Sequence, residues 1–198
     1  MDDTIRLHEK ELYPGSETVT LTRYLHAASK ELSARPRPAA LVFPGGGYAY
    51  CSDREAEPVA AGYFAAGYNC FVLRYVTGPQ AQIKNPLFDA AAAVAHLRAH
   101  AEEYRIDPQK IAVVGFSAGG HLAAFLAAQW HLPLLAEKLG ADNACFRPDA
   151  AVVGYAVISD HVPSNAVTFN NLLGAARTQE LTDSACVESF VDERTPPF

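Results

Sequence analysis

Short apolar runs alternate along the chain with longer segments that carry helical signals. Four such runs are each predicted to form a buried strand: residues 39–43, 69–75, 110–115 and 149–155. A helical segment separates each run from the next, and this order favours a mostly parallel sheet with helices on both faces. Residues 19–25 alternate polar and β-prone side chains, which predicts an antiparallel strand near the sheet edge. The sequence therefore predicts one α/β domain over residues 1–198.

Capping residues mark the ends of the predicted helices. Ser52 and Glu55 have the spacing of a capping box and predict the start of a helix. This helix is expected to run to about Ala66 and to stop at Gly67. Asn85, which precedes a proline, is the predicted cap of the next helix. The remaining predictions are a chain break at residues 107–108, helices over residues 118–130 and 181–193, and the approach to another strand at residues 195–198.

A glycine–serine motif lies where a buried strand gives way to a helix. Ser117 is the centre of Gly115-Phe116-Ser117-Ala118-Gly119. A serine at a tight strand-to-helix turn has strained backbone angles and an exposed hydroxyl. The flanking glycines remove side chains that would collide as strand and helix approach, and the helix N-terminus favours developing negative charge. Ser117 is therefore the predicted nucleophile of an acyl-transfer reaction.

Two other interpretations of the serine motif remain open. It is compatible with a glycine-rich turn in which the serine is incidental. It also loosely resembles a dinucleotide-binding turn, although Ser117 occupies the place of the second glycine, where the pyrophosphate needs a bare backbone. That turn is also expected after the first strand of the sheet, whereas Ser117 follows a later one.

A second glycine-rich segment, Pro44-Gly45-Gly46-Gly47-Tyr48, follows another predicted buried strand. Three consecutive glycines allow backbone N–H groups to point toward one place. An acyl-transfer enzyme needs such donors where the tetrahedral intermediate carries its negative oxygen. The predicted oxyanion-hole donors are the N–H groups of Gly46, Gly47 and Ala118. The alternative is a flexible glycine turn with no catalytic role.

In this order the motifs resemble the acetyl esterase and carboxylesterase branch of the α/β-hydrolases, which is close to the hormone-sensitive-lipase and acetylxylan-esterase-like groups. The resemblance runs from about Ala39 to Gly174, and Pro44 stands where the lipase group has a histidine. It implies an α/β-hydrolase fold with an eight-stranded, mostly parallel sheet. It also implies hydrolysis of short acyl esters, with acetylated sugars among the candidate substrates.

The same resemblance implies that part of the machinery lies outside the chain. In this fold the catalytic order is serine, then an acid, then a histidine. The acid normally follows the strand after residues 149–155, and residues 195–198 resemble the entry to that strand. The expectation is a chain that ends before its catalytic acid and histidine and lacks the last strands. Of the later histidines, His121 is expected to be a packing residue, and His161 is the one candidate stand-in for the base.

Loss of the last strands would leave residues 149–155 as an unpaired apolar edge, which invites association. A homo-oligomer or a second chain that covers this edge is therefore expected. Three functional classes stay open: an esterase with its triad completed elsewhere or lost by truncation, a peptidase on the same fold, and a non-catalytic fragment. The peptidase would be marked by an N-terminal propeller, for which the sequence has no signal.

The composition of the chain argues against several classes of binding partner. The net charge is −6 with no basic stripe, which argues against nucleic acid and anionic membranes. No apolar run approaches the ~18–20 residues of a membrane span, and the acidic N-terminus does not resemble a signal peptide, so a cytoplasmic protein is expected. The four cysteines are widely spaced and are expected to be reduced thiols. No metal or organic cofactor is expected, and the predicted ligand is a small-molecule ester.

Overall fold

The computed structural model describes residues 3–29, 31, 35–82, 84–174 and 177–198. In this part of the chain six strands form one sheet, in the order β1-β2-β4-β3-β5-β6. The strands are β1 (Asp3–Arg6), β2 (Thr20–Tyr24), β3 (Arg37–Phe43), β4 (Asn69–Arg74), β5 (Ile106–Phe116) and β6 (Ala150–Gly154). The first two are antiparallel to their neighbours, and β4, β3, β5 and β6 are parallel. The predicted mostly parallel α/β sheet is confirmed.

Both faces of the sheet are covered, because alternate residues of each central strand enter different apolar clusters. Leu41 of β3 packs into a large cluster with the helices that follow β4 and β5, whereas Val42 packs with Ala60 on the opposite face. The helices are α1 (Glu57–Ala65), α2 (Asn85–Ala99), α3 (Ala118–Gln129), α4 (Pro133–Leu139), α5 (Ala166–Leu173) and α6 (Gln179–Asp183). Every residue of α3 is buried, so the turn before it leads directly into the core.

The predicted capping box is wrong. Ser52 makes no side-chain cap, residues 53–55 form a 3₁₀ turn, and α1 begins two residues later. The reason is that the Glu55 carboxylate bonds instead to the Gly45 N–H at 2.7 Å and to the Tyr155 hydroxyl at 2.9 Å. The predicted stop is confirmed, since Gly67 has a φ of +97° directly after the last turn.

Three other predicted boundaries change. Asp107-Pro108 lies inside β5, at a point where the pairing with β3 shifts register. The irregular pairing there accommodates a proline, which has no N–H to donate to the neighbouring strand. Asn85 is the first residue of α2 rather than its cap, and its side chain donates to the Gln80 carbonyl. The helix predicted over residues 181–193 is replaced by the end of α6 and a separate 3₁₀ turn. There the Val187 N–H donates to the Ile158 carbonyl at 3.0 Å, which withdraws it from a helix.

The outer side of β6 carries exposed apolar side chains. Val152 is 45% exposed and Tyr155 is 71% exposed. The Ala151 N–H on this side donates to the Pro197 carbonyl at 2.9 Å, so the segment predicted to approach another strand does lie beside β6. The edge is apolar as expected, but it is not wholly unpaired, because Pro197 bonds to it. Its coverage by a second chain or a second copy stays a prediction.

Candidate active site

Ser117 occupies a strained turn between β5 and α3. Its φ is +52° and its ψ is −120°, a conformation that residues with a side chain rarely adopt. Hydrogen bonds fix it on both sides: its N–H donates to the Gly154 carbonyl at 3.1 Å, and its carbonyl accepts from Val157 at 3.1 Å. The side chain is half-buried, and within the described ranges the hydroxyl has no hydrogen-bond partner. The turn therefore presents an unengaged hydroxyl at the C-terminal end of a central strand.

The glycines around Ser117 are required by close packing. A Cβ on Gly115 would lie 2.1 Å from the Gly119 carbonyl oxygen, and a Cβ on Gly119 would lie 1.9 Å from the Phe43 carbonyl oxygen. Real Cβ atoms essentially never approach another atom so closely. The collision predicted from the sequence is thus confirmed, and the second of these approaches brings α3 against the end of β3.

The loop after β3, Pro44–Tyr48, has an unusual backbone. Gly46 and Gly47 have φ values of +130° and +61°, and Tyr48 has a φ of +59°. A Cβ on Gly46 would lie 2.1 Å from the Tyr50 carbonyl oxygen, so only glycine fits there. The loop contacts the serine turn directly, since a Cβ on Gly45 would lie 3.0 Å from the Ser117 Cβ. The structure therefore brings the two sequence motifs together.

The loop's carbonyl groups are all engaged. They accept hydrogen bonds as follows: Pro44 from the Tyr75 hydroxyl (2.5 Å), Gly45 from the Ser52 N–H (2.8 Å), Gly46 from the Ala49 N–H (3.0 Å), Gly47 from the Asn171 side-chain amide (2.7 Å) and Tyr48 from the Gly78 N–H (2.8 Å). In contrast, the N–H groups of Gly46, Gly47 and Ala118 meet no acceptor in the part of the chain that the structure describes. Three free donors thus lie in the two segments that meet at Ser117.

His121 lies one turn along α3 from Ser117 and is buried. Its Nε2 is 2.8 Å from the Ala185 carbonyl, which can only accept, so Nε2 carries the proton. Its Nδ1 therefore accepts from the Tyr48 hydroxyl at 2.7 Å. Burial lowers the pKa of His121 to about 4, which keeps the ring neutral. The ring ties the glycine loop to α3. Within the described ranges it has no bond to the Ser117 hydroxyl, as expected of a packing residue.

This buried histidine makes stability sensitive to acid. Because its pKa is about 4 when folded and about 6.5 when free, the unfolded chain binds the proton more tightly. We expect His121 to contribute on the order of 3 kcal/mol above pH 6.5, lost progressively as the pH falls toward 4. Urea unfolding of the wild type and His121→Gln at pH 7 and pH 5 measures this. The wild type should lose more stability than the variant; equal losses would contradict the assignment.

His161 is not brought to the serine. Its side chain is 80% exposed and lies 3.7 Å from a Glu188 carboxylate oxygen. The neighbouring Asp160 carboxylate accepts from Arg177 at 3.0 Å instead of from the histidine. Among the described residues, no histidine or carboxylate bonds to the Ser117 hydroxyl, so the structure does not support His161 as the stand-in base.

A cleft of about 570 Å³ lies against the glycine loop, on the side of α5. Its walls include Ala49, Gly78, Gln82, Asn171 and Leu181. Asn171 is the link to the loop, since its amide holds the Gly47 carbonyl. Sequence reasoning missed this contribution of α5, because the two residues are 124 positions apart and no local pattern connects them.

A metal site, a membrane-spanning helix and a reactive thiol each place requirements on the described residues. No group of three histidine, cysteine or carboxylate side chains there is arranged to hold a metal ion. None of the described helices has the length and apolar character needed to cross a membrane. The four cysteines are free, and burial raises the pKa of the Cys51 and Cys70 thiols to about 12, which makes them poor nucleophiles.

Known proteins are similar to this chain in sequence and in fold. The family model BD-FAE matches residues 25–198. Endo-1,4-beta-xylanase B of Butyrivibrio fibrisolvens is 36% identical over 169 residues, which cover 81% of this chain and 26% of that protein. The crystal structure of MGS-M1, an α/β-hydrolase enzyme from a Medee basin deep-sea metagenome library, is 38% identical with a TM-score of 0.71, covering 99% of this chain and 65% of that one.

A further solved structure aligns more closely in shape. The acetyl ester-xyloside bifunctional hydrolase of Caldicellulosiruptor lactoaceticus has a TM-score of 0.81 at 29% identity, covering 98% of this chain and 72% of that one. The chain thus spans about a quarter of the curated relative and about two thirds of MGS-M1. The sheet order, the serine turn and these matches agree, and the chain belongs to the BD-FAE family of α/β-hydrolase esterases.

Proposed function

We propose that the chain carries the nucleophile and the oxyanion hole of a serine hydrolase for short acyl esters. The Ser117 oxygen attacks the ester carbonyl carbon, a new C–O bond forms, and the carbonyl oxygen becomes an oxyanion. The hydroxyl proton passes through a base to the departing alcohol as the ester C–O bond breaks. Water then attacks the acyl-enzyme, which releases the acid and restores the serine.

One observation carries this assignment: the strained Ser117 turn contacts a loop whose carbonyls are all engaged, while the N–H groups of Gly46 and Gly47 have no acceptor among the described residues. Gly46, Gly47 and Ala118 are the proposed oxyanion donors. Donors that are fixed before the reaction need no reorganisation as charge develops, and each is worth roughly 10²–10³ in rate. The positive end of α3 adds to the same field. The base and the acid are not assigned to any described residue.

The names of the relatives suggest which acyl group and which kind of alcohol the ester substrate contains. One acts on acetyl esters and xylosides by its name, and another is a xylanase. We extend this to acetylated carbohydrates as substrates of the present chain. The cleft beside the glycine loop includes the side-chain amide of Gln82 in its wall, which can hydrogen-bond to a sugar hydroxyl group. The negative net charge of −6 argues against nucleic acid as the substrate.

A second candidate is a non-catalytic member of the same fold. It is favoured by the absence of any described base in contact with Ser117. The two candidates differ in a simple assay, since only the first hydrolyses esters.

Hydrolysis of p-nitrophenyl esters tests the proposed function. We expect saturable turnover of the acetate, with a higher kcat/KM than for the octanoate, because the proposed substrates carry acetyl groups. Release of acetate from acetylated xylose is the matching assay on a carbohydrate. Rates that equal the buffer blank for every ester would contradict the hydrolase and leave the non-catalytic candidate.

A further inference from the structure

The Glu55 carboxylate bridges the glycine loop and the end of β6. Its Oε2 accepts the Gly45 N–H at 2.7 Å, and its Oε1 accepts the Tyr155 hydroxyl at 2.9 Å. Glu55 follows the loop closely in the chain, whereas Tyr155 is 100 residues away. The carboxylate thus joins two segments that the backbone does not connect.

The Glu55 carboxylate lies close to the serine turn, because both pack against Gly45. A Cβ on Gly45 would meet the Glu55 Oε2, the Phe116 carbonyl oxygen at 2.7 Å and the Ser117 Cβ at 3.0 Å. A negative carboxylate so near the reacting serine opposes the formation of an oxyanion. Both of its oxygens, however, accept hydrogen bonds from the protein, and neither bonds to the Ser117 hydroxyl within the described ranges. This pattern is that of a group that holds the backbone and not of a proton acceptor.

The Gly45 contact fixes which N–H groups of the loop remain free. Once Glu55 takes the Gly45 N–H, the chain turns through the positive φ values of Gly46 and Gly47, and their N–H groups have no described acceptor. Without the carboxylate, the N–H of the buried Gly45 would itself be unsatisfied. The loop could then satisfy it by rotating the adjacent peptides, which would move the two free donors.

We infer that Glu55 is a positioning residue of the oxyanion hole, which rests on the function proposed above: by holding the Gly45 N–H it sets the direction of the Gly46 and Gly47 donors. Tyr155 supports it by fixing the second carboxylate oxygen. Because the role depends on accepting hydrogen bonds and not on charge, a glutamine at position 55 fulfils it. The glutamine oxygen accepts from Gly45, and its amide can donate to the Tyr155 oxygen.

Kinetics of Glu55→Ala and Glu55→Gln test this role with p-nitrophenyl acetate. The alanine variant should lower kcat roughly 10- to 100-fold and leave KM little changed, since the donors act on the transition state. The glutamine variant should keep wild-type kcat or exceed it, because an opposing charge is removed. Tyr155→Phe should fall between them. Glu57→Ala removes a nearby exposed carboxylate and should have no effect.

Hydrogen exchange of the protein labelled with ¹⁵N-glycine tests the contact without turnover. The Gly45 amide should be protected in the wild type and Glu55→Gln and should exchange faster in Glu55→Ala. If the wild type hydrolyses no ester but this pattern is seen, the proposed function fails and the positioning contact stands. Unchanged exchange in Glu55→Ala would overturn the role. So would a Glu55→Gln variant that loses activity while its Gly45 amide stays protected, since the carboxylate would then act in the chemistry.

Discussion

Replacing Ser117 with alanine is expected to lower kcat/KM for p-nitrophenyl acetate by roughly 10³-fold or more, because the covalent route needs this oxygen. What remains is the contribution of the oxyanion donors and of binding, which do not depend on the hydroxyl. The fold should survive, since the hydroxyl has no hydrogen-bond partner in the described ranges and alanine adds no atom to the turn.

Ser189→Ala is the matched control, because Ser189 is exposed and lies outside the serine turn. It should retain the wild-type rate. Urea unfolding of both variants should match the wild type within about 1 kcal/mol, as is usual when no buried contact is removed. A Ser117→Ala variant that keeps full activity would show that another group performs the reaction.

Among substitutions that add one methyl group to the serine turn, Gly119→Ala is expected to lower the free energy of unfolding most. Its Cβ would lie 1.9 Å from the Phe43 carbonyl oxygen and 2.6 Å from that of Pro44, and both are backbone atoms that cannot rotate away. α3 must then move off the end of β3, which also displaces the glycine loop. Overpacking of this kind costs typically 1–3 kcal/mol and occasionally more, and we expect a loss of about 3 kcal/mol.

Gly62→Ala provides the matched control within another helix. Nothing lies within 4 Å of its Cβ position in α1, so alanine should raise the free energy of unfolding by about 0.5–1 kcal/mol through helix propensity. Urea unfolding of both variants measures the difference. If Gly119→Ala were as stable as Gly62→Ala, the close approach of α3 to β3 would be wrong.

The sheet and the serine turn were predictable because their signals are local. Apolar runs of strand length and glycines at fixed offsets from Ser117 reflect contacts between chain neighbours and the elements next to them. Local signals also predicted the antiparallel direction of β2, the end of α1 at Gly67 and the turn that begins at Pro44. The family resemblance rests on these motifs, and the matches over residues 25–198 agree with it.

Two of the failures, the capping box and the C-terminal helix, share a physical cause, which is competition from distant partners. Glu55 has the spacing of a capping residue, but a backbone N–H of the glycine loop and the Tyr155 hydroxyl bind its carboxylate instead. The Ala185 carbonyl bonds to His121 of α3, and its neighbour Val187 bonds to Ile158, so the predicted C-terminal helix breaks there. No pattern within one segment reveals which of its polar groups a remote segment will take.

Covalent labelling of Ser117 tests the central claim most directly. Incubation with a fluorophosphonate probe, followed by digestion and mass spectrometry, identifies the serine that attacks the phosphorus and displaces fluoride. We predict one adduct, on the peptide that contains Ser117, which Ser117→Ala abolishes and Ser189→Ala retains. No adduct under conditions that label a known serine esterase, or an adduct on a different serine, would contradict the assignment of Ser117 as the nucleophile.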